Sequence, residues 1–353
     1  MTRNLALLAA AAAFLCPTTP ARAQTASSGA TLYGVVDAFV EYGHAGTSSA
    51  PINRTRLESG GLNSSRLGVR ESEDLGGGLK ANVVLEHGLL ADSGQQAKAA
   101  FWNRQAWAGL SGGFGSLSAG RQYTPLLVHQ DSFDTSLSTT GYGSPYNSGV
   151  VRTVSRLDNS VLYSLPASLP VSGSVMVAAG EGSAGRSWSA NLRRTDGPLS
   201  VGAGWLTQKG FGAASEDKVI WNLAASYRVG PALLAAAVQR TKNDRQMPAT
   251  EDDRRELFAG VTYAIGEGEL RAAYGQGSVC SVAASTARHA SLAYVHHLSK
   301  RTALYAGLQE VHNPDNLGYR GTEGFTFDAI APGLPAGAGV TARATAVGVR
   351  HRF

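Results

Sequence analysis

Cysteine is almost missing from this chain: 353 residues carry two, Cys16 and Cys280. Charge is also scarce. Charged residues make up 16% of the sequence, against ~25% in ordinary domains. Beyond residue 23 no long hydrophobic run exists, and the longest clean apolar stretch lies near 232–238. That is far short of the ~20 residues a membrane-spanning helix needs. Helical periodicity is nearly absent. Thirteen prolines without a G-X-Y period exclude a collagen-like chain. With 43% hydrophobic residues the chain is too apolar for disorder. A net charge of +5 is too small and too dispersed to indicate nucleic acid as a partner.

Glycine, in contrast, is abundant: 43 residues, about 12% against an average near 7%. Such an excess favours tight turns and close backbone contacts over helices.

Residues 1–23 have the layout of a secretory signal. Arg3 supplies the positive flank, 5–15 the apolar core, and Ala21-Arg22-Ala23 an A-x-A cleavage site. The eleven-residue core is too short to span a bilayer as a helix. Cleavage there leaves 330 residues, a net charge of +3 and Cys280 as the only cysteine. An exported protein with one cysteine has no internal disulfide. Residues 24–353 are expected to form a single domain.

The dominant signal in that domain is alternation. Val219, Trp221, Leu223, Ala225, Tyr227 and Val229 share one face, opposite Ile220, Asn222, Ala224, Ser226 and Arg228. Leu257, Ala259, Val261, Tyr263 and Ile265 repeat the pattern. Seven short connections rich in Gly and Pro lie at 74–78, 111–115, 165–170, 196–198, 230–231, 266–268 and 298–301. Eight longer polar segments lie near 43–64, 91–99, 124–157, 181–186, 209–217, 242–254, 276–286 and 313–340. Fifteen connections join sixteen antiparallel strands. Short turns at one end and long loops at the other describe an all-β transmembrane barrel. The alternative fold is a soluble β-sandwich or propeller. Tyr and Trp near strand ends favour the barrel, because they suit the two lipid interfaces. The last strand, with Val347, Val349, His351 and Phe353 on one face, is expected to close the barrel on Phe353.

Several tracts give the resemblance a family. They are Thr31-Leu32-Tyr33-Gly34-Val35-Val36-Asp37, Ser65-Arg66-Leu67-Gly68-Val69-Arg70 and Glu73-Asp74-Leu75-Gly76-Gly77-Gly78-Leu79-Lys80. Arg104-Gln105-Ala106-Trp107-Ala108-Gly109-Leu110-Ser111, Gly120-Arg121-Gln122-Tyr123, Leu298-Ser299-Lys300-Arg301-Thr302 and Arg350-His351-Arg352-Phe353 continue them. The chain resembles a Gram-negative general-diffusion porin of the betaproteobacterial type. The resemblance implies a sixteen-stranded barrel, a homotrimer in outer-membrane lipid and lipopolysaccharide, and a third long loop folded inward to narrow the pore. It also places constriction arginines at Arg66, Arg104 and Arg156, with acids on the inward loop, for which Asp131 and Asp134 are the best candidates.

Parity adds a lumen wall. Outward Leu67 and Val69 put Arg66 and Arg70 inward, and outward Ala81, Val83 and Leu85 put Lys80 and Glu86 inward. Water solvates an arginine there, whereas at mid-depth on the lipid face it costs ~2–4 kcal/mol. Three wall arginines against two loop acids predict mild anion preference among small hydrophilic solutes and ions. Arg121 shares the parity of Leu117 and Ala119 and is expected to point away from the lumen.

Other motifs point to no chemistry. Gly180-Glu181-Gly182-Ser183-Ala184-Gly185 matches G-x-G-x-x-G, but an alternating segment follows it instead of a helix. His296 and His297 are strand neighbours, so their rings face opposite ways. No catalytic residue, cofactor or metal site is expected. The rival functions are a substrate-specific channel and, further off, an outer-membrane barrel enzyme.

Overall fold

Residues 29–47, 50–136, 142–181, 185–210, 217–242, 253–314 and 339–353 are described by the computed structural model. The expected signal segment 1–23 lies outside them, as do most of 313–340 and the middle of the G-x-G-x-x-G tract.

Alternating segments become strands throughout. The first four are β1 (Thr31–Thr47), β2 (Ala50–Ser59), β3 (Arg66–Gly76) and β4 (Leu79–Gly88). Then come β5 (Gln105–Gly112), β6 (Gly115–Tyr123), the helix α1 (Pro125–Phe133), β7 (Arg156–Ser164) and β8 (Ser172–Ala178). β9 (Ser187–Asp196), β10 (Leu199–Gln208), β11 (Lys218–Val229) and β12 (Ala232–Lys242) follow. The last are β13 (Arg254–Ile265), β14 (Gly268–Val279), β15 (Ala287–His297), β16 (Thr302–His312) and β17 (Thr341–Arg352).

Every pairing is antiparallel, and β17 returns to pair with β1 from Val35↔Arg352 to Gly46↔Thr341, so the sheet closes. The seventeen segments make sixteen barrel strands. β2 pairs with the second half of β1 and β3 with its first half, so β2 and β3 are one strand interrupted at 60–65. Closure leaves no edge, and a bilayer permits sheets on that condition alone.

The seven short connections fall where the sequence puts them. One long one does not. Residues 43–64 were expected to form a loop, but β1 and β2 continue as a hairpin through most of that stretch. Polar residues there, such as His44, Asn53 and Arg56, lengthen the ladder. Polarity alone does not distinguish a loop from a strand that extends above the lipid.

Exposure runs opposite to a water-soluble protein. Val36, Val40, Leu223, Val238 and Val347 are exposed, while Asp37, Glu41, Asn222, Gln239 and Glu256 are buried. The apolar outer face suits lipid, and the inner face is polar. Exposed Tyr42 and Trp221 lie towards the long-loop end, and Tyr227, Tyr263 and Tyr294 towards the short-turn end. These two girdles bracket the apolar band.

The helix α1 was not expected. Thr124 caps it, its Oγ1 accepting from the Leu127 N–H, and Pro125 occupies the first turn. Its apolar residues lack a strong one-sided pattern, because polar partners hold it. The Leu126 N–H donates to Ser189 Oγ (3.1 Å), and His129 Nε2 donates to Asn222 Oδ1 (2.8 Å). Gln130 Nε2 donates to Gln239 Oε1 (2.8 Å), whose own amide donates to Glu256 (2.7 Å). Burial keeps the His129 imidazole below the ordinary histidine pKa and therefore neutral. Gly204 makes the close approach feasible: a Cβ there would lie 2.7 Å from His129 Cδ2.

Candidate pore constriction

Glu86 on β4 organises the polar cluster. Its Oε1 accepts from Arg104 Nε (2.7 Å), and its Oε2 accepts from the Tyr33 hydroxyl (3.0 Å). Arg66 Nε on β3 lies 3.4 Å from the same oxygen, while its guanidinium donates to the Ser64 carbonyl. The Tyr123 hydroxyl then accepts from both Arg104 (2.7 Å) and Arg156 (2.9 Å). The Arg156 guanidinium also lies over the Tyr123 ring, 4.4 Å from its centroid. Three guanidiniums, one carboxylate and two phenols thus form one continuous group along β1, β3, β4, β6 and β7.

Sequence reasoning named Arg66, Arg104, Arg156 and Glu86, and the fold brings these four together. It did not name Tyr33 and Tyr123. Tyr33 pairs across with Gly68, which pairs in turn with Glu86. The phenol reaches over the missing side chain, and a Cβ on Gly68 would stand 2.4 Å from Tyr33 Cζ. Tyr123 has the strand parity of outward Leu117. A register shift between Gly120 and Gln122 resets that parity, and Gly120 takes φ +134° there. A glycine inside a strand was the one signal available for it.

The loop acids separate. Asp131 lies on the exposed stripe of α1 with Val128 and Ser132, away from the face that meets β9–β12. Asp134 is half-buried. Its carboxylate accepts from the Ser136 N–H (2.8 Å) and the Ser144 hydroxyl (3.0 Å), tying two middle parts of the 124–155 connection together. Burial pushes its pKa up to about 6.

Beyond α1 that connection keeps to polar inner-face side chains. The Thr135 carbonyl accepts from Thr262, and the Ser136 carbonyl from Arg271. The Ser291 hydroxyl donates to the Gly143 carbonyl, and the Tyr142 N–H donates to the Gly61 carbonyl. Its contacts thus run from β9 round to the 60–65 interruption.

Arg70 sits 5.4 Å over the Tyr33 ring, near the cluster. Lys80 is exposed beside the β3–β4 turn. Arg121 donates to the Asn103 carbonyl and to Asp158, apart from the Glu86 group. Phe353 exchanges both backbone hydrogen bonds with Gly34 at 3.1 Å, completing the β1–β17 seam.

Known proteins share this architecture. The profile of the Gram-negative porin family matches residues 6–316. Outer membrane porin protein 32 of Delftia acidovorans is 32% identical, over 94% of this chain and 96% of that protein. The anion-selective porin from Comamonas acidovorans superposes with a TM-score of 0.77 at 30% identity, over 92% of this chain and 100% of that one. OmpT, an outer membrane protein of Vibrio cholerae, shares the fold at 16% identity and a TM-score of 0.65, over 94% and 99%.

Proposed function

The chain belongs to the Gram-negative porin family, as an outer-membrane diffusion channel, and from that premise we propose an anion-preferring pore narrowed by an inward third loop. The observation that carries the reading is the charge of the Glu86 cluster. Arg66 and Arg104 flank the one carboxylate, Glu86, and Arg156 joins them through Tyr123, leaving two positive charges in excess on the wall. Fixed positive charge at a constriction admits anions and excludes cations.

The 124–155 connection supplies the opposite wall. Its hydrogen bonds to inner-face Ser189, Asn222, Gln239 and Ser291 support an inward course. That course leaves the β3–β7 wall, with its arginines, open to the pore. Asp131 on the exposed stripe of α1 then faces the arginines and sets a transverse field, which orients dipolar solutes. The Comamonas relative is itself known as an anion-selective porin, which agrees with this. The chain works as a channel and not as an enzyme. It assembles as a homotrimer among lipid and lipopolysaccharide after the 1–23 signal is removed.

Reversal potential across a planar bilayer in a salt gradient tests the reading. Wild type is expected to favour anions. Arg66→Gln, Arg104→Gln and Arg156→Gln together should shift selectivity towards cations by a factor of about ten. Cation preference in wild type, or no shift in the triple variant, defeats it.

A further inference from the structure

Arg350 and Arg352 occupy alternate positions on the inner face of β17, close to the end where the short turns lie. Both guanidiniums donate to one neutral acceptor, Asn63 Oδ1, at 3.2 and 3.0 Å. Neither makes an ion pair with a carboxylate among the described residues. Arg350 is 5% exposed, and its Nε is buried without a hydrogen-bond partner. Two like charges held on a shared amide repel each other, and a buried donor without an acceptor is costly. The carboxylates of Asp37 and Glu269 offset part of the Arg350 charge without pairing with it.

Both arginines line a cavity of about 530 Å³ at this end of the barrel, together with Asn63, Arg271, Lys300 and two acids, Glu267 and Glu269. Glu269 is already engaged, 2.7 Å from an Arg271 nitrogen. Arg271, Lys300, Arg350 and Arg352 thus stand against Glu267 and Glu269, and the cavity is net positive. It is separate from the Glu86 cluster, with which it shares no residue.

We propose that this cavity is a second anion station, at the short-turn mouth, for small polyvalent oxyanions of the phosphate class. The inference rests on the barrel being a conducting channel with anion preference. Arg forks match oxyanion geometry, and charge-assisted bonds are the strong ones. An oxyanion here accepts from the Arg350 and Arg352 guanidiniums and relieves their mutual repulsion. The site stays open to solution through the mouth, so the anion leaves as readily as conduction requires.

Inorganic phosphate added to the short-turn side of wild-type channels should reduce chloride current in a concentration-dependent way. Arg350→Gln with Arg352→Gln should raise the half-blocking concentration by about tenfold or more, as loss of two charge-assisted bonds implies. Arg350→Lys with Arg352→Lys should retain most of the block, and Arg66→Gln with Arg104→Gln should leave it in place. Lys300→Gln, on an exposed turn that does not hold the barrel together, should weaken it about threefold. Unchanged block in the double Gln variant with normal chloride conductance overturns the station. If that variant does not fold, unchanged block in Lys300→Gln overturns it. An anion-selective wild type that phosphate does not block sinks the station alone. A wild type without anion preference sinks the functional reading as well.

Discussion

Asp134 shows how one carboxylate can be both structure and switch. Held by Ser136 and Ser144, it has a pKa raised to about 6 from 3.8. A raised carboxyl pKa means the folded state prefers the proton. The stabilisation is full at low pH and is lost as pH rises through the window between 3.8 and about 6. The same proton governs loop charge. Anion selectivity should therefore fall by a modest factor, about two, as Asp134 ionises. Reversal potentials measured at a series of pH values should show that step with a midpoint near 6, and Asp134→Asn should remove it. A step of equal size in the variant would assign the titration to another group. At this scale the sequence was informative where parity held. Arg66 and Glu86 were legible because outward Leu67 and Val83 fix their neighbours. Tyr123 was not, because a bulge at Gly120 breaks the count. Tyr33 was not, because its reach depends on the glycine opposite it in the next strand.

Among elements, α1 depends most on its surroundings. Nine residues make a helix too short to persist alone in water. Hydrogen bonds donated to β9, β11 and β12 hold it against the wall, and Gly202 and Gly204 leave room for His129 and Phe133. Gly204→Val forces a methyl into the His129 ring. Overpacking of this kind costs about 1–3 kcal/mol, and the alternative to that strain is displacement of the helix towards the open lumen. Single-channel conductance should fall, by about half if the helix moves one side-chain layer. Conductance equal to wild type would show that the helix does not border the conducting path. The same interaction explains why no helix was legible. The residues that favour α1 lie 60 to 110 positions away in sequence, and the local pattern carries little amphipathic signal.

For the whole molecule the decisive event is closure. The β1–β17 ladder covers Val35 to Gly46, and Phe353 extends it to Gly34 with two more hydrogen bonds. The Phe353 ring lies over Gly34, where a Cβ would come within 2.3 Å of its Cζ. Deleting Phe353 removes both hydrogen bonds, about 1 kcal/mol each, and the ring packing with them. The folded form should convert to the unfolded form on heating in detergent at a lower temperature, by several degrees. An unchanged conversion temperature would show that the seam is held by the remaining ladder alone.

The scarcity of cysteine, charge and long apolar runs, together with the excess of glycine and the period-two alternation, determines most of the architecture from the sequence by itself. Period-two alternation settles strand and facing, and turn chemistry settles where strands reverse, because both are properties of neighbouring residues. Only the closed barrel decided which glycines serve as seats. Gly34, Gly68 and Gly204 receive Phe353, Tyr33 and His129 from other strands or from the long connection. Only the closed barrel, too, set two arginines on one carboxylate, a third beside them through Tyr123, and two more on a single asparagine. Such groupings join residues up to 289 positions apart. Their energies arise from like charges and phenols brought together across a closed ring, a proximity that no local pattern encodes.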